Sequence, residues 1–496
     1  MKKSITILMA LFVVSLHLVA QTYSWEQIGT DFTGKTTFEY YGQSVSINAD
    51  GSIIAIGADL FSPTNLTNAG RVQVYKNNNG TWQQLGSDII GEATADQSGY
   101  SVSINADGTT VAIGAEYNDG NTPGSNCGHV RVYQFVAGSW IQIGQDIDGE
   151  TSGDRSGNQV SLSPDGLVVA VNAQWNDNNG NNSGEVRIYK YTASSWTKIG
   201  NSIPGEAEND LIGTIDLNND GSIVAIGTQF SEQGKGSVRV FMNQNNVWTQ
   251  MGNNLMGKNS GDSFGYSVSL NSAGTILAVG APNSDPNDLA SAGSTYIFKY
   301  SENSWSQIGN NISGKTDSEY SGKVVSLNAS GTIVAISATS FNSSQGAVRV
   351  YENTNNNWGQ VADDISGKVS TDDNFGWSCS LSADGNYLAI STPYNDNNSF
   401  NAGYAQVYKK QDVTSIEDTN YSSASFFPNP VQSILSVSNL SNNSEICFFD
   451  VAGKMILKKH SILNTEQFDV SGFENGIYFI KINSEKNNYT FKMIKN

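Results

Sequence analysis

Short runs in which apolar and polar residues alternate fill most of the chain. The stretch Gly99–Gly149 holds four of them: SVSIN, TVAIGA, HVRVYQF and SWIQIG, labelled A to D. Alternation at period two, rich in Val, Ile and Tyr, predicts β-strands. Between A and B stands NADG. Asn and Asp tolerate left-handed backbone and Gly takes positive φ, so this predicts a tight hairpin turn. The B–C and D–A connections run to a dozen or so residues, and the whole pattern recurs seven times. A four-stranded antiparallel unit repeated at this length predicts a propeller blade.

The Trp of strand D marks the register: Trp25, Trp82, Trp140, Trp196, Trp248, Trp305 and Trp358, at spacings of 57, 58, 56, 52, 57 and 53. The A units begin at Gly42, Gly99, Gly157, Gly213, Gly265, Gly322 and Gly376. The phase is informative. The first strand, Trp25–Gly29, is a D strand with no A, B or C before it, and the last unit, Gly376–Lys410, lacks D. The expectation is an all-β, seven-bladed propeller closed by the N-terminal strand, which removes a free sheet edge. D–A and B–C connections leave an antiparallel blade on one side, so all the long, variable loops share one face. That is where function is expected.

Composition sharpens the picture at the ends. Met1–Ala20, with Lys2 and Lys3 before an apolar run, is expected to be a secretory signal peptide (residues 1–20), too short to be a good membrane span. No later stretch is expected to cross a membrane. The propeller is expected over 21–410, a polar linker over 411–425, and a separate domain over 426–496. The net charge is −19. Setting aside Lys2 and Lys3 and the +1 balance of Phe426–Asn496, the body carries an excess of about 22 negative charges, which argues against nucleic acid and anionic lipid as partners. Cys127, Cys379 and Cys447 fall in blades that are not neighbours or in the tail, so no disulfide is expected.

Phe264-Gly265 with Gly280-Ala281-Pro282, and Phe375-Gly376 with Ser391-Thr392-Pro393, resemble the FG-GAP repeat of integrin-α-type propellers. The resemblance covers about Trp25–Lys410 and implies the propeller fold. That family's calcium loop needs several Asp or Asn in a longer A–B turn. The turns here are NADG, NADG, SPDG, NNDG, NSAG, NASG and SADG, too short to wrap the ion with six or more oxygens, so the family's calcium sites are not carried over.

The tail reads as strands of a small β-sandwich. Pro428-Asn429-Pro430, Asp450 with Gly453-Lys454, Gly476-Ile477-Tyr478, and the Lys-rich end at Lys492 and Lys495 closely resemble the C-terminal sorting domain of type IX secretion substrates. The resemblance implies that the secretion machinery is a partner. It also implies a secreted or outer-surface location in a Gram-negative bacterium.

Candidate chemistry is sparse. Of three His, only His129 lies in the body, so a His triad or multi-His metal site is excluded by count. His129 occupies a position that varies between blades and reads as surface. Arg131, Arg187, Arg239 and Arg349 recur in strand C, and Asp88, Asp146 and Asp364 after strand D; they read as ion pairs that staple blades. The Trp ladder reads as blade core. The B–C loops hold Tyr117-Asn118-Asp119, Trp175-Asn176-Asp177, Asn283-Ser284-Asp285 and Tyr394-Asn395-Asp396. An aromatic beside an Asn-Asp pair suits a sugar ring, and the same oxygens suit calcium. The competing reading is Asx-turn chemistry that shapes the loop. No metal or cofactor is expected otherwise, and no enzyme. The leading expectation is a binding or adhesion module for glycan or protein. A structural surface component and a carboxylate-based polysaccharide hydrolase are the alternatives.

Overall fold

The computed structural model describes residues 23–120, 124–368, 373–396, 398–412, 425–438, 440, 444–451, 453–483 and 488–496. The expected signal peptide and most of the expected linker lie outside them. The chain divides into two compact units after Gln411.

The first unit is a seven-bladed propeller. The second blade is typical: A Ser101–Ile104, B Thr110–Ala115, C His129–Val136 and D Ser139–Gln142. All six residues of that B strand are buried, because neighbouring blades cover both of its faces. This is why B reads as a nearly continuous apolar run. Strand C is buried in its first half and alternates in its second. Strand D is broken: a second piece, Ile147–Asp148, also pairs with C. The interruption falls at Gly144, whose φ is 74°.

In the last blade the order is D Tyr23–Gln27, C Tyr404–Asp412, B Tyr387–Thr392, A Ser378–Leu381. Phe32–Thr33 then pairs with Tyr404 and Ala405. The N-terminal segment therefore supplies both pieces of the missing outer strand, and no blade is left open.

Two rings of hydrogen bonds run round the axis. In strand A one position is Ser46, Ser103, Ser161, Asp216, Ser269, Ser326 or Ser380. Each accepts a backbone N–H from the next blade: Ile104, Leu162, Leu217, Leu270, Leu327, Leu381 and Ile47, at 2.8–3.2 Å. The second ring joins the A–B turns. Asn219 donates to Ser272, Ser272 to Ala329, Ala329 to Ala383, Ala383 to Ala49, Ala49 to Ala106 and Ala106 to Pro164, all backbone to backbone at 2.9–3.1 Å. The seventh link is missing because Pro164 has no N–H.

The second unit packs a three-stranded sheet (Ser425–Phe427, Ile434–Ser438, Glu466–Asp469) with a four-stranded one (Met455–Ser461, Ser444–Asp450, Gly476–Asn483, Asn488–Lys495). Leu435, Val437, Phe448, Phe468, Ile480 and Met493 lie in the core they share. Asn429 ties the last strand in place: its amide donates to the Lys492 carbonyl at 3.0 Å and its oxygen accepts the Ile494 N–H at 2.7 Å.

Candidate functional site

The loop-bearing face is built on carboxylates. Three residues before each blade glycine stands a buried acid: Glu39, Asp96, Asp154, Asp210, Asp262, Glu319 and Asp373. These acids hold their own D–A loops by accepting backbone N–H groups, as from Ala93 to Asp96 at 2.8 Å, Asn259 to Asp262 at 2.9 Å and Lys315 to Glu319 at 2.9 Å. This acid has a fixed offset in all seven repeats, a signal that strand patterning passes over.

The strand-C arginines close the framework. Arg349 binds Glu319 at 2.6 Å and Asp364 at 2.8 Å, and both ends are largely buried. Arg131 binds Asp146 at 3.2 Å and also Glu92. Arg187 meets Glu150, Asp154 and Glu185, and Arg239 meets Glu206 at 4.0 Å. In the first blade the guanidinium comes from Arg71, two residues early in register, and still reaches Asp88 at 2.9 Å and Glu39. The strand-D tryptophans also join blades. Trp82, Trp140, Trp196, Trp248 and Trp305 each donate their indole N–H to a carbonyl of the preceding blade at 2.7–3.0 Å.

The Asn-Asp pairs of the B–C loops serve the loops. Asp119 accepts from Gly124 and Asn126, Asp177 from Asn182, Asp285 from Ser291 and Asp396 from Asn401, all backbone N–H at 2.7–3.0 Å. Asn118 accepts from Gly120 at 2.7 Å. Asn176 donates to Asp154 and Asn395 to Asp373. Asn283 and Asp285 are exposed, and Asn283 donates to Ser263 at 2.9 Å. The oxygens expected to hold a hydroxyl or calcium are therefore engaged by loop backbone, which is the Asx-turn alternative.

The aromatics behave differently. Tyr117, Trp175 and Tyr394 are half-buried and meet residues of the D–A connections, and Tyr394 also meets the rim of strand A. A cavity of about 390 Å³ follows the axis, and its wall includes Tyr100, Asn158, Tyr266, Lys323 and Trp377. These side chains, with Gln43 and Thr214, occupy the one position that follows each blade glycine. Tyr394 makes edge contacts with Tyr40 at 5.3 Å and Trp377 at 4.9 Å between ring centres. The Lys323 ammonium lies 4.6 Å from the Tyr266 ring centre and 5.4 Å from that of Trp377. The Arg155 guanidinium lies 4.5 Å from Tyr117 and 5.0 Å from Trp175. Sequence reasoning reached the loop aromatics and missed the rim. The missed signal is the aromatic after the blade glycine in Gly99-Tyr100, Gly265-Tyr266 and Gly376-Trp377.

Electrostatics couple several of these residues. The Tyr100 phenol is pushed up by burial, then by Glu116, Asp59, Tyr117 and Tyr266. The Tyr394 phenol is pushed up to about 12 by burial, then by Tyr40, Asp59 and Tyr266. Burial raises the Asp59 carboxyl to about 7, with Glu116 pushing the same way. One Asp59 oxygen is buried without a hydrogen-bond partner. Glu116 is also raised by burial; Asn158, which donates to it at 2.7 Å, and Arg155 oppose the shift.

His129 corrects the surface reading. It is 3% exposed, because it opens strand C between Ala115 and Asp148. Among the described residues, Glu92, His129 and Asp146 form one group with metal-ligand spacing, but Arg131 binds both carboxylates. The three cysteines are buried and unpaired. No helix among the described residues is long and apolar enough to cross a membrane.

Residues 425–496 match the family model described as the secretion system C-terminal sorting domain. Residues 257–298 and 358–408 match that of the FG-GAP repeat. The chain carries FG-GAP repeats and a type IX sorting tail. The tail implies contact with the type IX secretion machinery and points to a secreted or outer-surface protein. No curated protein matches the chain. Similar solved structures include Kuenenia stuttgartiensis hydrazine synthase, at 12% identity and TM-score 0.48, covering 74% of this chain and 95% of that one. The periplasmic gluconolactonase of Pseudomonas aeruginosa is 14% identical with TM-score 0.46, covering 69% and 97%. PorZ, a surface component of the type IX secretion system of Porphyromonas gingivalis, is 11% identical with TM-score 0.46, covering 95% and 61%. The propeller assignment rests on the seven sheets of this FG-GAP chain itself.

Proposed function

We propose that this exported FG-GAP propeller is a binding module that holds a glycan at the loop-bearing mouth of its axis. One observation carries the reading. Half-buried aromatics from several blades gather at the mouth: Tyr100, Tyr266 and Trp377 line the axial cavity, Tyr394 packs on Tyr40 and Trp377, and Tyr117 and Trp175 share Arg155. Such rings offer large, rigid contact area with a polar tip, which suits a sugar's apolar face and its hydroxyls. The basin is walled by regular strands, so it is preformed and loses little entropy on binding.

The test is a glycan and surface-protein array probed with the purified chain, with and without calcium. The triple variant Tyr117→Ala, Trp175→Ala, Tyr394→Ala is expected to abolish the hit while the melting transition stays cooperative. Binding unchanged by that variant removes the site, and a hit confined to proteins replaces glycan with a protein partner. No hit at all favours a structural surface component.

The reading is of binding without turnover. Asp59 and Glu116 favour a second reading, polysaccharide hydrolysis, because two buried carboxyls with raised proton affinity are the inventory of a general acid–base pair. Release of reducing ends by the purified chain, lost in Glu116→Gln, would establish it.

A further inference from the structure

The chain has six arginines. Five of them, Arg71, Arg131, Arg187, Arg239 and Arg349, lie in strand C and are within ion-pair distance of carboxylates. The sixth is Arg155, in a D–A connection at the mouth. Among the described residues no carboxylate lies within ion-pair distance of it, and its guanidinium makes no hydrogen bond. Its head rests on the faces of Tyr117 and Trp175 instead. Lys323 repeats the arrangement on another blade, with its ammonium over Tyr266 and Trp377 and without an ion pair among the described residues. In a protein so rich in acid, two cations at the loop-bearing mouth with no ion pair among the described residues stand apart from the five paired arginines.

The carboxyls nearby are Asp59 and Glu116; burial raises both above their ordinary values, Asp59 to about 7, while Arg155 pulls Glu116 back toward its charged form. Stacking on a ring face fixes a guanidinium's plane and leaves its edge donors free. Those donors form a fork that matches a carboxylate with two parallel hydrogen bonds.

Resting on the glycan reading above, we propose that the ligand at this mouth is an acidic saccharide, whose uronate carboxylates are taken by Arg155 and Lys323 while its ring faces lie on the neighbouring aromatics. At physiological salt the acidic body's repulsion of polyanions is largely screened beyond about 8 Å. Recognition is therefore short-range, and affinity comes from contact at the mouth rather than from steering.

The test uses the full chain, with oligogalacturonate, alginate and hyaluronan oligosaccharides against neutral cello-, xylo- and laminari-oligosaccharides, read by calorimetry. Acidic chains are expected to bind at least about tenfold tighter, and Arg155→Gln or Lys323→Gln to weaken them about ten- to a hundredfold, as expected for loss of a charged hydrogen bond. The same variants are expected to leave the melting transition in place. Neutral chains bound as tightly, with both variants silent, overturn this inference and leave the glycan reading standing. No saccharide bound at all overturns both. If Arg155→Gln unfolds the blade, Lys323→Gln and carboxyl-reduced galacturonan carry the test alone.

Discussion

Trp140 in one blade donates its indole N–H to the carbonyl oxygen of Leu85 in the preceding blade, at 2.7 Å. The ring lies against Gly86, where a Cβ would stand 3.0 Å from the indole edge and the φ is 75°. The contact has two halves: a bulge that only glycine accommodates cheaply, and a ring that fills the space beside it. Trp140→Phe keeps the packing and loses the hydrogen bond, so a loss of about 1 kcal/mol is expected in urea titrations. Gly86→Ala adds a strained φ to the clash and is expected to cost more. Equal stability of the two variants would refute this division.

Closure by the N-terminal strand gives a second expectation. Removing Tyr23–Thr30 leaves strand Tyr404–Asp412 with an open edge. Aggregation and a broadened unfolding transition should follow, read by light scattering and calorimetry. A truncated chain that melts like the full one would show that the ring does not need this strand.

The axial ring of serines has one carboxylate, and it sets a pH dependence. Burial pushes Asp216 to about 6 from its ordinary 3.8, so the fold favours its protonated form. Stability from this group is full below 3.8 and is lost as pH rises through about 6. Asp220 works in the opposite sense. The Ser222 hydroxyl holds it below its ordinary range, so its contribution is present above 3.8 and is lost as pH falls. Asp216→Ser restores the hydroxyl found in the other blades. The variant is expected to melt several degrees higher at pH 7.5, with the difference shrinking toward pH 4. A constant difference across that range would rule out titration of Asp216.

In the tail, Asn429 replaces a missing strand partner by bonding twice to the last strand. Asn429→Ala is expected to destabilise the sorting domain by about 1–2 kcal/mol and to lower the exported fraction in a type IX-competent cell, measured by fractionation. Export at the unaltered level would separate the motif's packing role from sorting.

Much of this was legible in the residues. Alternation, the NADG turns and the Trp spacing lead to seven blades, and the phase of Trp25 leads to closure. Other features depend on contacts that no single repeat contains. The break in strand D is invisible to alternation because both pieces pair with the same strand C. Arg71 stands two residues out of register yet reaches Asp88, since a long side chain tolerates that shift. His129 looks variable between blades, but its position is buried in every one, by Arg71, Glu185, Ser237, Ser294, Ala347 or Tyr404. The mouth is the hardest case. Tyr100, Tyr266 and Trp377 are far apart along the chain, and only closure of the ring turns one register position into one basin.

The chain of amides joining the A–B turns has a consequence for exchange with solvent water. Turn amides at a protein's rim ordinarily trade hydrogen for deuterium quickly. Here six of them, at Ala49, Ala106, Asn219, Ser272, Ala329 and Ala383, are each held by the next blade. They can exchange only when two blades part, and should do so on the timescale of the core. The chain also has two ends, because Pro164 cannot extend it toward Asn219. The junction of the third and fourth blades is thus the one place where neighbouring turns are not fastened, and the ring is set to breathe there first.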